Sequence, residues 1–245
     1  MMEQWRGQGL AIRDYFNGDT GARIIIHSSD GDTEEVEVSI FFREFPYIPL
    51  IEKAALDMCY GDVIDVGAGT GCHSLELQNR GLNVAAIDVL PDVVEVMKAR
   101  GVRDARLGDF RELKDERFDT VLMLMNGIGI VGDLEGLKVF LSRAGDLIKP
   151  GGQIVFDSID LRCEKPDDTE NGLSQSRGVS QDGRESGRYF GEIEYRIEYK
   201  GVIYPPFQWL FMDAQTLEDY ASSSGWKFEH VMKFENGRYL GRLYR

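Results

Sequence analysis

The stretch "VIDVGAGTGCHSLELQNRG", residues 63 to 81, decides how this chain is read. A run of apolar, β-branched residues ends in glycines at positions 67, 69 and 71 and passes directly into helix-like sequence. "DVIDVG" has the pattern of a strand buried on both faces. Gly71 to Arg80 is expected as the helix that follows it, stopped by Gly81. A glycine turn between strand and helix is where several nucleotide-like cofactors bind.

The same rhythm continues downstream. "LNVAAIDV" is the next strand, and its helix, "PDVVEVMKARG", opens on Pro91 and closes on Gly101. "RDARLGD" is a weaker third strand and "RFDTVLMLMN" a strong fourth. Leu137, Phe140, Leu141, Ala144 and Leu147 recur at helical spacing, and "KPGG" is expected to close that helix before a fifth strand, "QIVFDS". Then "TLEDYASSSG" reads as a helix, and "WKFEHVMKF" and "RYLGRLYR" flank an Asn-Gly turn as an antiparallel hairpin. The expected fold is α/β: a doubly wound, mostly parallel seven-stranded sheet with an antiparallel last strand and helices on both faces.

Both flanks of this core depart from the rhythm. Residues 1–60 are read as a cap: a lead helix, a hairpin in "ARIIIHSSDGDTEEVEVSI", and an approach helix in "FFREFPYIPLIEKAALDMC". Residues 158–212 form an insert after strand five, whose polar part, "RCEKPDDTENGLSQSRGVSQDGRESG", is expected to be mobile. Its remainder, "RYFGEIEYRIEYKGVIYPPFQWLFMD", alternates as two strands would and is expected to form a β-ribbon above the carboxyl edge of the sheet. The division is therefore one domain, 1–245, with a cofactor-binding core at 61–157 and a closing helix and hairpin at 213–245.

A dinucleotide site asks for G-x-G-x-x-G, yet Cys72 stands where the third glycine belongs, so nicotinamide cofactors are disfavoured. Around the turn, Asp65, Asp88 and Asp109 fall at three successive strand ends. A carboxylate at position 88 can accept hydrogen bonds from two ribose hydroxyls; Asp109 can accept from an adenine amino group while Phe110 flanks the ring. Asp65 either contacts the ligand or orders the turn by accepting backbone N–H bonds. In these residues the chain resembles the class I S-adenosylmethionine-dependent methyltransferases: "DVGAGTG" resembles their glycine motif, Asp88 their ribose position, and "GDF" at 108–110 their adenine position. "FDTVLMLMN" and "LIKPGGQIVFDS" resemble their fourth- and fifth-strand segments. The resemblance implies S-adenosyl-L-methionine as cofactor and S-adenosyl-L-homocysteine as product. It implies binding by Asp65, Gly67, Ala68, Gly69, Gly71, Asp88, Val89, Asp109, Phe110, Met125 and Asn126.

A sulfonium methyl needs chiefly an aligned acceptor and exclusion of water, so no fixed catalytic set is required. Asn126, at the end of strand four, is a catalytic or turn-forming candidate; His73 is a candidate base or contact to the methionine end of the cofactor, or else a satisfied, half-buried histidine. Substrate candidates are Tyr15, Phe42, Arg43, Ser158 and Trp209, with the rings read either as a lid or as a small accessory core, and Arg43 as a carboxylate holder or a surface partner of Glu44 or a nearby acid. No metal constellation is expected, although Asp157 and Asp160 leave a divalent ion slightly open.

With 42 acidic against 28 basic residues the net charge is −14, which disfavours nucleic acid and anionic membranes as partners. "MNGIGIVG" after strand four also lacks an Asn-Pro-Pro-Tyr tetrad expected of a nucleic-acid methylase. Cys59, Cys72 and Cys163 have no metal-ligand spacing, which together with the absence of a signal-like or membrane-length apolar run suggests a cytoplasmic chain. The expected activity is methyl transfer to a small molecule. A protein acceptor, or cofactor binding without transfer, are the alternatives, and the acceptor atom and oligomeric state stay open.

Overall fold

A computed structural model describes residues 3–45, 47–163 and 188–245. At its centre is a seven-stranded sheet in the order β11-β12-β7-β6-β3-β4-β5. Its strands are β3 (Asp62–Val66), β4 (Asn83–Asp88), β5 (Asp104–Leu107), β6 (Phe118–Met123), β7 (Ile148–Ile159), β11 (Lys227–Lys233) and β12 (Arg238–Tyr244). The first five run parallel, β12 returns antiparallel beside β7, and β11 closes the edge antiparallel to β12. The chain order reverses beside β3, which pairs with β4 on one side and β6 on the other; ligands of such sheets bind at that switch, outside the carboxyl ends of the strands.

Alternation along each strand explains why both faces are covered. Ile64, Val121, Met123, Ile154 and Phe156 point to one core, shared with Leu137, Phe140 and Leu141 of α5 (Leu134–Leu147) and Leu217 of α6 (Ala214–Ser223). Val63, Leu122 and Val155 point to the other, where Ile51, Ala55 and Leu56 of α2 (Leu50–Met58) and Leu77 of α3 (Cys72–Asn79) pack. On that second side α4 (Pro91–Arg100) lays Val94 and Met97 on Ala86.

The accessory segments form a second sheet of their own. β1 (Arg23–Ser28) and β2 (Thr33–Glu37) make the expected hairpin, and β8 (Glu192–Tyr199) pairs with β10 (Phe207–Leu210) and the short β9 (Val202–Ile203). The hairpin and the ribbon then join, because β1 pairs antiparallel with β8, Ile26 opposite Ile197. Sequence reading had kept them apart. Their common inner face, with Ile24, Ile193, Tyr195 and Ile197, packs on Ala11 and Ile12 of α1 (Arg6–Phe16), which in turn lies against Leu90, Val93 and Val96. Arg13 pins α1 to the first turn of α4 through Asp92 at 2.6 Å.

Two local expectations are corrected. The approach helix begins at Leu50, not near residue 41; Val38–Phe42 is a 3-10 turn, and Pro49 keeps the chain before it out of helical geometry. "KPGG" does not separate helix from strand, since β7 already starts at Ile148 and takes the four residues as an irregular beginning. Ser158 lies near the end of β7, opposite Tyr239, as the end of strand five. Most of the polar stretch at 162–187 that was expected to be mobile, residues 164–187, lies outside the described residues. Among the described residues no helix is long and apolar enough to cross a membrane.

Candidate functional site

The carboxyl ends of β3, β4 and β6 surround the glycine turn. Gly67, Gly69 and Gly71 all have positive φ, at 67°, 56° and 82°. Their surroundings differ: a Cβ on Gly71 would sit 2.5 Å from Val102 Cγ2, whereas one on Gly69 would meet nothing within 4 Å. Gly71 therefore lets α3 close on the neighbouring loop, and Gly69 keeps the backbone bare on its open side. Gly67 and Ala68 both donate N–H bonds to the Ile87 carbonyl, which fastens the turn to β4.

Asp88 completes this fastening. One carboxylate oxygen accepts from Gly69 N at 3.1 Å and the other from Leu90 N at 3.0 Å, leaving lone pairs on both. Burial pushes its carboxyl up to about 6 against those N–H bonds. Val89 follows it, packed against the accessory core. Asp65 is buried beneath the turn and accepts from Ser74 Oγ at 2.6 Å. Burial raises its carboxyl too.

The adenine-side pair is arranged differently from the expectation. Asp109 accepts from Arg111 N at 2.9 Å and is clasped by the Arg111 side chain, which outweighs burial and lowers its pKa. Phe110 is a core residue: it is 4% exposed and meets Phe140 edge to face at 5.8 Å, so its ring is not a free wall of the crevice. Its sequence position next to Asp109 could not reveal this, because the direction of a side chain leaving a strand end is set by the turn that follows.

After β6, Met125 and Asn126 are consecutive non-glycine residues at φ 62° and 57°. Such backbone costs on the order of 1–3 kcal/mol per residue and persists where surrounding bonds over-determine it. Here Asn126 N–H donates to Asp157 Oδ1 at 2.8 Å, its amide oxygen accepts from Ser158 Oγ at 3.1 Å, and its Nδ2 donates to the Leu210 carbonyl at 3.4 Å. Ser158 also accepts from Met212 N at 3.0 Å. Asn126 and Ser158 thus join β6, β7 and the second sheet, and both are engaged within the protein. Asp157 faces Arg238 at 3.3 Å and Asp160 faces Arg162 at 2.9 Å, so each carboxylate meets an arginine in place of a shared ion.

His73 does not stand at the crevice rim. It is buried, with Nε2 2.7 Å from Glu52 Oε2, and Arg43 reaches the other Glu52 oxygen at 2.9 Å. Arg43 therefore pairs with Glu52 rather than Glu44. Burial acts to raise Glu52 and to lower His73, yet their mutual bond and the nearby charges reverse both, holding Glu52 below and His73 above their ordinary values. Sequence reading missed Glu52. Its helical spacing to Ala55 and Leu56, both core residues, was the signal that it faces inward.

The rings gather in two groups. Tyr15 stacks on Phe42 at 4.7 Å, beside the turn, with Arg100 over Phe42. Phe41 offers its carbonyl to the Thr70 hydroxyl and to Cys72 Sγ. Trp209 lies edge-on to Trp5 at 5.5 Å, and a Cβ on Gly129 would meet its indole nitrogen at 2.2 Å, so the second sheet rests directly on the segment after β6.

A doubly wound sheet with a glycine turn and an acidic second-strand end defines the class of Rossmann-like proteins, whose site suits a nucleoside-bearing cofactor. Comparison with known proteins narrows this. Residues 64–156 match the model of a methyltransferase domain. A solved S-adenosylmethionine-dependent methyltransferase from Bacteroides fragilis, in complex with S-adenosyl-L-homocysteine, is 40% identical, covers 100% of this chain and 96% of its own, and superposes with a TM-score of 0.85. Among curated proteins, a ubiquinone biosynthesis O-methyltransferase from Azorhizobium caulinodans is 33% identical over 104 residues, covering 40% of each chain. A cypemycin N-terminal methyltransferase from a Streptomyces species is 32% identical over 122 residues, covering 48% of each. The matches thus span less than half the length of these curated relatives. The chain belongs to the class I S-adenosylmethionine-dependent methyltransferase family, and S-adenosylmethionine is its cofactor.

Proposed function

We propose that this protein transfers a methyl group from S-adenosylmethionine to a small-molecule acceptor held between the crevice of the 61–157 core and the accessory segments. The observation that carries the reading is the half-buried Asp88 carboxylate, keyed to Gly69 N–H and Leu90 N–H with lone pairs to spare at the end of β4. Those lone pairs suit two ribose hydroxyls. The bare side of Gly69, with Gly67 before it, suits the methionine end, Asp65 orders the turn from below, and Asp109 with the backbone at Phe110 and the Met125–Asn126 turn borders the base. Val89 and Ala68 contribute backbone beside them.

Bound S-adenosylmethionine supplies an electrophilic methyl group on a sulfonium. The chain's own contribution is then alignment and exclusion of water, and effective molarity alone can lower a barrier by about 7–11 kcal/mol. Tyr15, Phe42 and Trp209 are aromatic covers that suit a small, partly apolar acceptor. The chain's strong negative charge argues for the same class over nucleic acid. Neither His73 nor Asn126 is assigned as a base, since each is engaged by internal partners.

Calorimetric titration with S-adenosylmethionine, S-adenosylhomocysteine and NAD in parallel tests the cofactor site, followed by a screen of small hydroxyl- and amine-bearing acceptors for formation of S-adenosylhomocysteine. Binding of the two adenosyl-sulfur ligands without NAD is the expected result. Turnover only with peptides or proteins would overturn the acceptor class, and binding without turnover on any acceptor would overturn methyl transfer.

A further inference from the structure

We propose that Glu52 is a positioning residue that joins the N-terminal covering segment to the cofactor turn, so that the two order together when cofactor binds. The proposal rests on the reading of the crevice as the cofactor site. Glu52 touches neither wall of the crevice directly; it acts through its two partners.

The geometry is that of a coupling hub. Glu52 is 1% exposed on the inward face of α2, among Ile51, Ala55 and Leu56. A buried carboxylate there is costly unless it is paired, and an apolar residue would serve the core at least as well. Both oxygens are used: one holds Arg43, which ends the 38–42 turn, and the other holds His73, in the first turn of α3 after Gly71. A second tether lies two residues from the first, where the Phe41 carbonyl takes the Thr70 hydroxyl and Cys72 Sγ. The covering segment thus meets the glycine turn at these two points, and Glu52 reaches both sides through charge. His73 is faced by Glu52 from α2, Asp65 from β3 and Arg43 from the covering segment, while Glu52 is also faced by Asp157 of β7, itself paired with Arg238 of β12. Against burial, which lowers it, the bond to Glu52 and the nearby carboxylates raise His73 above its ordinary value and so favour its charged form. The tether should therefore weaken on the alkaline side.

The test is S-adenosylhomocysteine binding from pH 6 to 9.5, with amide hydrogen exchange, on the full chain and on Glu52→Gln and Arg43→Gln. In the unmutated protein the ligand should slow exchange both at 67–75 and at 38–43, and affinity should fall as pH rises past the ordinary histidine range. In Glu52→Gln affinity should drop about tenfold, the alkaline fall should move to lower pH, and ligand should still protect 67–75 but not 38–43. Arg43→Gln, on a half-buried side chain, should also lose protection at 38–43 while keeping the alkaline fall, and it decides the matter should Glu52→Gln not fold. A lowered melting temperature with native affinity, pH profile and protection pattern would make Glu52 scaffolding alone and overturn the proposal. Failure of the unmutated protein to bind S-adenosylhomocysteine would instead overturn the site reading itself.

Discussion

The Asp88 carboxylate accepts the backbone N–H of Gly69 at 3.1 Å, so the end of β4 and the middle of the glycine turn are held by one side chain. Removing it takes away both an anchor of the turn and the acceptor proposed for the ribose. Asp88→Ala should weaken S-adenosylhomocysteine binding by about 1.5–3 kcal/mol, the range for hydrogen bonds to a charged group, as read by calorimetry. Unchanged affinity would remove Asp88 from the site.

The same residue sets a pH dependence. Its carboxyl, at about 6 when folded and near 3.8 when unfolded, binds more protons in the folded state between those values. Its contribution to stability should therefore fall as pH rises from about 4 to about 6 and then level off. Ribose hydroxyls donate to the charged form, so cofactor affinity should move oppositely, rising through pH 6 to a plateau. Denaturation midpoints and titrations in Asp88→Asn, set against the native chain across pH 4.5–7.5, separate the two trends.

The glycines of the turn should respond unequally. Gly71→Ala combines a left-handed backbone, about 1–2 kcal/mol for an L-residue, with overpacking against Val102, about 1–3 kcal/mol. Gly69→Ala faces open space and should cost stability only through its backbone, while its methyl group intrudes on the cofactor side. Urea midpoints should fall most for Gly71→Ala. Affinity per unit of stability lost should fall most for Gly69→Ala.

Truncating one member of the buried triad should be costly. His73→Phe leaves Glu52 with Arg43 alone; an uncompensated buried charge costs about 3–5 kcal/mol, and with Arg43 still paired the loss should stay below that range. In the native chain the raised histidine contributes stability that is full below its ordinary 6.5 and is lost as pH climbs through the folded value; the lowered Glu52 contributes stability present above 4.5 and lost as pH falls. Thermal denaturation should show both limbs for the native chain and shallower ones for a Glu52→Leu, His73→Leu, Arg43→Leu triple substitution.

Asn126→Ala should destabilise by about 1–3 kcal/mol, because alanine keeps the left-handed turn yet loses the amide bonds to Ser158 and Leu210. Asn126→Gly relieves the backbone and should cost less. Denaturant midpoints for the pair give the comparison, and the reverse order would show the amide bonds to be unimportant.

The core was legible because it repeats one physical rule. Apolar runs such as 63–66 and 120–123 have only sheet interiors to occupy, and Gly71, Gly81 and Gly101 mark turns by a conformation few other residues take. Pairing of β1 with β8 was not legible, since alternation fixes which face of a strand is buried but not which strand lies beside it. The carboxylates at strand ends were found by position, yet whether each faces a ligand or a neighbour depends on side chains that sequence distance hides: Arg111 for Asp109, Arg238 for Asp157 and Glu52 for His73.

The joint between β1 and β8 constrains how such a protein can diversify. Because the accessory sheet is spliced from chain segments more than 160 residues apart, loss of either strand would expose a row of unpaired backbone groups on the other. A recombinant whose new N-terminal part or insert lacked a strand in matching register would present a sticky strand edge prone to aggregation. Inheritance of the two pieces as a matched pair is the route by which a new acceptor preference could arise on this unchanged core.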